Sequence, residues 1–209
     1  YDGMMAWSRQ NRRLDIMNLR EFADYYNDFV TTGQINKDEA DKHYADPSLL
    51  GKGTNWQDAI FRTAFQHSHQ ISAQGGSDKI QYYVSANYMN QEGTIIGSEF
   101  NRLGMRVNLD AQLKSWLKMG LSTNFSSTND NLKLADSDQG IINYSLTTPP
   151  DIPIYNLDGS YSSVSKEGFT NPNPIAMAML NQIKLERRKL NGNLFFEVTP
   201  IKHLVWHAE

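Results

Sequence analysis

The residue types this chain lacks limit its chemistry first. It has no cysteine, which removes disulfides, thiolate zinc sites and thiol catalysis. His67 and His69 are two apart and would share a face on a strand, but a metal site needs more ligands and no carboxylate cluster supports them. Asp136 and Asp138 precede a helix-like stretch and have the donors for calcium, yet a solvated helix N-terminus with favourable dipole placement suits them better. Asp151 and Asp158 resemble paired catalytic acids, but their neighbours, Pro149, Pro150, Pro153 and Gly159, favour turn and loop roles. There is no Ser/His/Asp order, Gly-rich phosphate loop or HExxH. The expectation is a protein that is not an enzyme, with no metal and no cofactor. Flat aromatic faces remain. Trp7, Trp56, Tyr144, Tyr155 and Tyr161 could stack on the C–H faces of sugars, with loop packing as the competing role for each.

What positions these residues is read from pattern. The chain has 209 residues, a net charge of −3 and a hydrophobic fraction of 39%, with a mean hydropathy of −0.57. Such values fit a soluble polar protein, and equally a transmembrane barrel whose strands alternate around a wet interior. The near-neutral charge and the absence of basic runs argue against nucleic-acid binding. The longest apolar run, Ile175–Leu180, is far short of the ~18–20 residues of a spanning helix. The opening Tyr1-Asp2-Gly3 and the strand-like ending at Trp206-His207-Ala208-Glu209 read as an internal piece of a longer chain.

The clearest strand is Arg102 to Leu113. Leu103, Met105, Val107, Leu109, Ala111 and Leu113 alternate with Arg102, Gly104, Arg106, Asn108, Asp110 and Gln112. A period of two held this long predicts a strand, and one of the ~9–11 residues that cross a bilayer. Leu117 to Ser126, Gln81 to Tyr88, His69 to Gly75 and Lys189 to Val198 repeat the pattern, a last strand holds Leu204 and Trp206, and Tyr1 to Ser8 is a weaker candidate. On the four best strands the apolar set contains no Lys, Arg, Asp or Glu. A charge facing lipid near midplane would cost ~2–4 kcal/mol, whereas Arg102, Arg106, Asp110, Lys118, Lys189 and Glu197 on the other set could be solvated in a lumen.

The connections alternate in length. Those at about 76–79, 114–116 and 200–202 are short, and those at about 9–66, 90–101 and 129–187 are long. Short periplasmic turns and long extracellular loops are the asymmetry of outer-membrane barrels. Within the long loops, Asn18 to Val30 has helical periodicity with Asn18 as N-cap and Glu21 three residues on. Ser137 to Leu146 and Pro174 to Ile183 are two further helix candidates, Pro149 to Pro153 is stiff and extended, and Asn156 to Gly159 reads as a turn. The expected fold is all-β: a partial antiparallel transmembrane β-barrel of six or seven strands, with long extracellular loops that carry short helices. The alternative is a soluble antiparallel sheet, a surface module that binds glycans without transporting them; a barrel-type adhesin is a third, minor reading.

At this point the residues resemble a known family. Thr54-Asn55-Trp56-Gln57-Asp58-Ala59-Ile60-Phe61-Arg62-Thr63 is similar to the D-W-Q-D-x-I-F-R-T segment of SusC/RagA-type TonB-dependent transporters, with Asn55 where that pattern has Asp. The stretch from His69 through Gly75-Gly76-Ser77 and Tyr82-Tyr83-Val84-Ser85 to Gln91-Glu92-Gly93 resembles a second family pattern. Leu14-Asp15-Ile16-Met17-Asn18, Asn108-Leu109-Asp110, Trp116 to Gly120, Pro149 to Asn156 and Asp158-Gly159 follow in the family's order. The resemblance implies import of large nutrients, mainly glycans and in some cases oligopeptides, across the Gram-negative outer membrane. It implies a barrel of about 22 strands with a plugged lumen, a SusD-like surface lipoprotein as lid, and energy from the TonB complex. Residues 1–209 would be the N-terminal part of the barrel domain, just after the plug, with plug, TonB box and the remaining strands outside the chain. The aromatic residues named above would then face substrate or lid.

Overall fold

The computed structural model describes residues 1–34, 44–166, 169–201 and 204–209. Seven strands form one antiparallel sheet: β1 (Asp2–Ser8), β2 (Ala64–Gly76), β3 (Ile80–Glu92), β4 (Glu99–Lys114), β5 (Leu117–Leu132), β8 (Ile183–Ile201) and β9 (Leu204–Ala208). They are hydrogen-bonded in the order β1-β2-β3-β4-β5-β8-β9, so each strand pairs with the next along the main wall. A separate two-stranded hairpin, β6 (Val164–Lys166) with β7 (Phe169–Asn171), interrupts the sequence between β5 and β8. The sheet does not close, because β1 and β9 are its outer strands.

Register sorts the side chains. Ile71 pairs with Ala86, Ala86 with Met105, Met105 with Phe125 and Phe125 with Leu190, so one continuous row of apolar groups crosses five strands. The same face carries Val84, Val107, Leu121 and Leu194, and none of the described residues packs over it: Ile71 is 64% exposed, Met105 50% and Leu190 70%. Along β4 this face is apolar from Leu103 to Leu113, roughly 34 Å of strand at ~3.4 Å per residue. The upper limit of the apolar belt is stepped. It lies at Trp7 and Phe65 on β1 and β2, at Tyr88 and Leu103 on β3 and β4, and at Phe125 and Leu190 on β5 and β8. Tyr88 pairs with His69, four residues from Phe65, and Phe125 pairs with Met105, two residues from Leu103. The belt therefore shifts six residues (four plus two) over five strand-to-strand steps. At ~3.4 Å per residue and ~4.8 Å between strands, a level belt requires strands inclined by about 40°, inside the ~35–45° range of outer-membrane barrels.

Every long strand exceeds its sequence-based bounds. β3 runs on to Glu92 and β4 begins at Glu99, so the connection expected over 90–101 shrinks to residues 93–98. β5 reaches Leu132 and β8 begins at Ile183, which trims the 129–187 loop from both ends. Polar residues such as Asn129, Asp130 and Glu186 hide the period of two there, but the backbone ladder continues. The alternation of connection lengths survives, with 9–63, 93–98 and 133–182 at one end of the sheet. Of the short turn expected at 200–202, Lys202 lies outside the described residues. Tyr1 to Ser8 is a strand, paired with β2 from Asp2 to Ser8.

The loops contain α1 (Leu19–Thr31), α2 (Trp56–Ile60), α3 (Ile141–Thr147) and α4 (Pro174–Leu180). α1 starts where its capping box predicts. Asn18 Oδ1 accepts from the backbone N–H groups of Arg20 (3.0 Å) and Glu21 (3.2 Å), and Asn18 N–H donates to Glu21 Oε2 at 2.9 Å. α3 begins later than the expected Ser137, at Ile141 after Gly140, and α4 stops at Leu180 before the expected Ile183. α2 was not anticipated: five residues are too few to show a period, and its start signal is the single Asn55 side chain that accepts from Asp58 N–H at 3.1 Å.

Candidate functional site

The family-like motif proves to be a fastening for the loops. Trp56 and Ile60 of α2, Ile141 of α3, and Ile175 and Ala178 of α4 form the buried cluster of the molecule. It lies at the long-loop end of the sheet and ties three loops together. Trp56 Nε1–H donates to Pro149 C=O at 3.1 Å. Buried Gln57 reads both polar groups of one residue: its amide donates to Leu14 C=O at 2.8 Å and its carbonyl accepts from Leu14 N–H at 3.0 Å. Thr54 donates from N–H to Pro150 C=O (2.8 Å) and from Oγ1 to Ile152 C=O (2.7 Å). Arg62 donates from Nε to Gly93 C=O and from Nη2 to Ser98 C=O, both at 3.1 Å, so it clasps the two ends of the 93–98 connection. Arg13 pairs with Asp58. These are charge-assisted or buried hydrogen bonds, the kind whose loss leaves an orphan partner.

The Pro149–Pro153 segment is extended because each proline fixes φ and restricts the residue before it. That leaves its carbonyls free to accept from Trp56 and Thr54, as above. Gly53, at φ +69°, lets the chain approach it; a Cβ there would collide with Pro150 C=O and lie 2.6 Å from Leu19 Cβ. Asn173 closes the other side. It caps α4 by accepting from Ile175 N–H (2.9 Å) and donates to Ile154 C=O (2.8 Å). Tyr44 Oη–H donates to Asp151 Oδ2 at 2.9 Å, and burial together with that carboxylate raises the phenol's pKa above its usual value. Burial lowers that of Lys133, whose ammonium donates to Asn181 C=O at 2.7 Å.

The expected site residues fall into different environments. Trp56 is 1% exposed and serves the cluster just described, so it presents no free face. Trp7 lies on the apolar face, where its ring meets Phe65 at 5.2 Å between centroids. Tyr155 and Tyr161 bridge each other, with ring centroids 5.2 Å apart; Tyr155 is half exposed, while Tyr161 leans on the buried cluster, and its phenol is raised by burial and by the Tyr155 phenol. Tyr144 is part of α3 and half-buried. The structure thus brings Tyr155 and Tyr161 together, packs Tyr161 against the cluster that holds Trp56, and places Trp7 on the apolar face of the sheet. His67 and His69 share the apolar face as expected, 5.1 Å apart and lined up with Tyr1, Phe65 and Tyr88. Asp158 accepts from the N–H and hydroxyl of Ser160, which holds its carboxyl below the usual range and makes it the turn residue expected. Among the described residues no group of three or more His, Asp or Glu could hold a metal.

The opposite face of the sheet is polar. Ser122 Oγ–H donates to Asn108 Oδ1 (3.0 Å), Lys118 pairs with Asp110 at 3.7 Å and sits 5.6 Å from the Phe195 ring centre, and Phe195 stacks on His207 at 5.2 Å. Gln57, Arg62 and Asn173 also hold the loop assembly and are not among the residues expected to form a site; for the first two the signal in the sequence is the family-like motif around Trp56.

Long tilted strands, one uncovered apolar face, one polar face and loops gathered at one end define a section of β-barrel wall. Among known proteins, the chain is 33% identical over 158 residues to a TonB-dependent receptor of Formosa agariphila, which covers 74% of this chain and 15% of the relative. It is 28% identical to the TonB-dependent receptor SusC of Bacteroides thetaiotaomicron, over 93% of this chain and 20% of that one. The RagAB peptide importer in its open-open state has the same fold over 97% of this chain, with a TM-score of 0.69, 21% identity and 26% of that structure covered. No family profile matches. The chain is a stretch of a SusC-like TonB-dependent receptor. It spans about a fifth or less of the length of the curated relatives it matches. Those relatives are named as receptors, and the reading of the chain as non-enzymatic stands with them.

Proposed function

We propose that this chain is the N-terminal part of the barrel wall of an outer-membrane importer. The full-length receptor takes up large nutrients, glycans or oligosaccharides foremost and oligopeptides as the second class, under a SusD-like lipoprotein lid and with energy from the TonB complex. The long-loop end then faces outside. The observation that carries this reading is the uncovered apolar belt, free of charge between Leu103 and Leu113 on β4. Inclined at about 40°, ~34 Å of strand spans about 26 Å, close to the ~25 Å apolar band of outer-membrane barrels. A soluble module would need another layer over that face.

The kinship supports the rest of the proposal: SusC is a TonB-dependent receptor, and RagAB is a peptide importer. The test is partition and growth. The full-length protein should sediment with outer membranes and require detergent for extraction, and its deletion should abolish growth on one polymer while sparing the corresponding monosaccharide. Extraction into aqueous buffer would end the membrane reading. Growth lost on a peptide source instead would move the substrate to the second class.

A further inference from the structure

The polar face carries cations that enter no ion pair among the described residues. Arg102 pairs across β5 with Thr128, and Thr128 with Arg187; Gly104 pairs with Ser126, and Ser126 with Lys189; Arg106 pairs with Asn124, and Asn124 with Asn191. Arg102, Arg106, Arg187 and Lys189 therefore lie within three successive rungs on one face, and all are exposed. The ion pairs among the described residues are Arg13–Asp58, Arg62–Glu92, Lys118–Asp110, Arg188–Glu186 and His207–Glu209; none uses these four cations. The acid nearest by register, Asp130 on β5, enters none of them either. Arg188 and its partner Glu186 sit on the other face.

Between the two cationic strands β5 presents only neutral groups, Ser122, Asn124, Ser126 and Thr128. Two strand spacings separate β4 from β8, so the cations face each other over about 10 Å, with hydroxyl and amide groups as the floor. Like charges held this close repel, and guanidinium forks match carboxylate or sulfate geometry in a way that a solvated surface does not require. The floor supplies neutral donors and acceptors, which a hydroxyl-rich ligand can saturate and an extended acidic peptide matches less fully.

We propose that this strip binds an anionic oligosaccharide, carboxylated or sulfated, on its way along the inner wall. The proposal rests on the import reading and narrows its cargo to the acidic members of the glycan class. Its test is equilibrium binding of oligogalacturonate to the full-length receptor in detergent, with maltoheptaose and poly-glutamate as comparisons. Oligogalacturonate should bind in preference to both and weaken as salt is raised. The quadruple variant R102Q/R106Q/R187Q/K189Q should weaken it about tenfold or more, while the triple variant R102K/R106K/R187K, which keeps all four charges but loses the guanidinium forks, should weaken it less. Folding of each variant is checked by heat-modifiable gel mobility. Should the quadruple variant misfold, the double variant R102Q/R187Q, with an expected loss of about threefold or more, decides in its place. Unchanged affinity in a folded variant, equal binding of maltoheptaose, or preference for poly-glutamate would each overturn the proposal. Binding needs no transport, so a receptor that binds oligogalacturonate through these residues but supports no uptake would sink the import reading and leave the strip standing.

Discussion

At the scale of single residues, the informative side chains are those that join one loop to another. Trp56 is the largest buried group of the loop cluster, and its indole N–H is spent on Pro149 C=O. Replacing it with Ala should cost the loop assembly about 3–5 kcal/mol, read as a rise in proteolytic nicking of the 9–63 and 133–182 loops while the strands stay protected. Tyr44 gives a pH-dependent counterpart. Its folded pKa is raised, so the stability its bond to Asp151 contributes is complete below the usual phenol value and is lost as pH climbs through that value toward the higher folded one. The contribution is about 1 kcal/mol, a hydrogen bond to a charged group discounted for partial exposure. Protection of the loops from protease should fall above pH ~10 in the natural protein, and Tyr44→Phe should remove that alkaline step while lowering protection at neutral pH. An alkaline step that persists in the variant would assign it to another tyrosine.

At the scale of elements, what was legible in the sequence depended on which interaction fixed the element. Where one face of a strand is apolar, as on β4, the period of two shows directly which residues share a face. Where the strands leave the apolar belt, as in Asn129 to Leu132 of β5, backbone pairing alone extends them, and no side-chain pattern records it. α1 announced itself through its capping box, whereas α2 is held by tertiary packing of Trp56 and Ile60 and had no length in which to show a period. The two tryptophans differ for a related reason: Trp7 and Trp56 carry the same side chain, but only the register and the loop core reveal that one lies on the apolar face and the other is buried. The sheet also contains a packing device not apparent from sequence. Gly120 pairs with Phe195, whose ring lies over it where a Cβ would stand. Gly120→Leu should force that ring away from His207 and Lys118 and destabilise the barrel by about 1–3 kcal/mol, seen as a lower unfolding midpoint. F195A/G120L should recover part of the loss.

At the scale of the whole molecule, the two faces answer to different solvents, so the same substitution has unequal consequences one residue apart. Val107 lies near the middle of the apolar belt and Asn108 on the polar face. Val107→Arg should cost about 2–4 kcal/mol of folding stability in a bilayer, and Asn108→Arg well under 1 kcal/mol, measured by denaturant titration of the full-length receptor in liposomes. Equal costs at the two positions would mean that the apolar face does not meet lipid. The stepped upper limit of the belt reaches further, because a staircase constrains the steps above and below it. Averaged over the steps, a strand enters with its apolar stretch displaced by about 1.2 residues relative to its neighbour's ladder, the increment that gives a ~40° incline. A strand joining the open side of β9 must therefore be offset in one sense and a strand joining β1 in the other, before any of their own side chains is considered. In that respect these strands act as a ruler, already graduated for any strand that would join them.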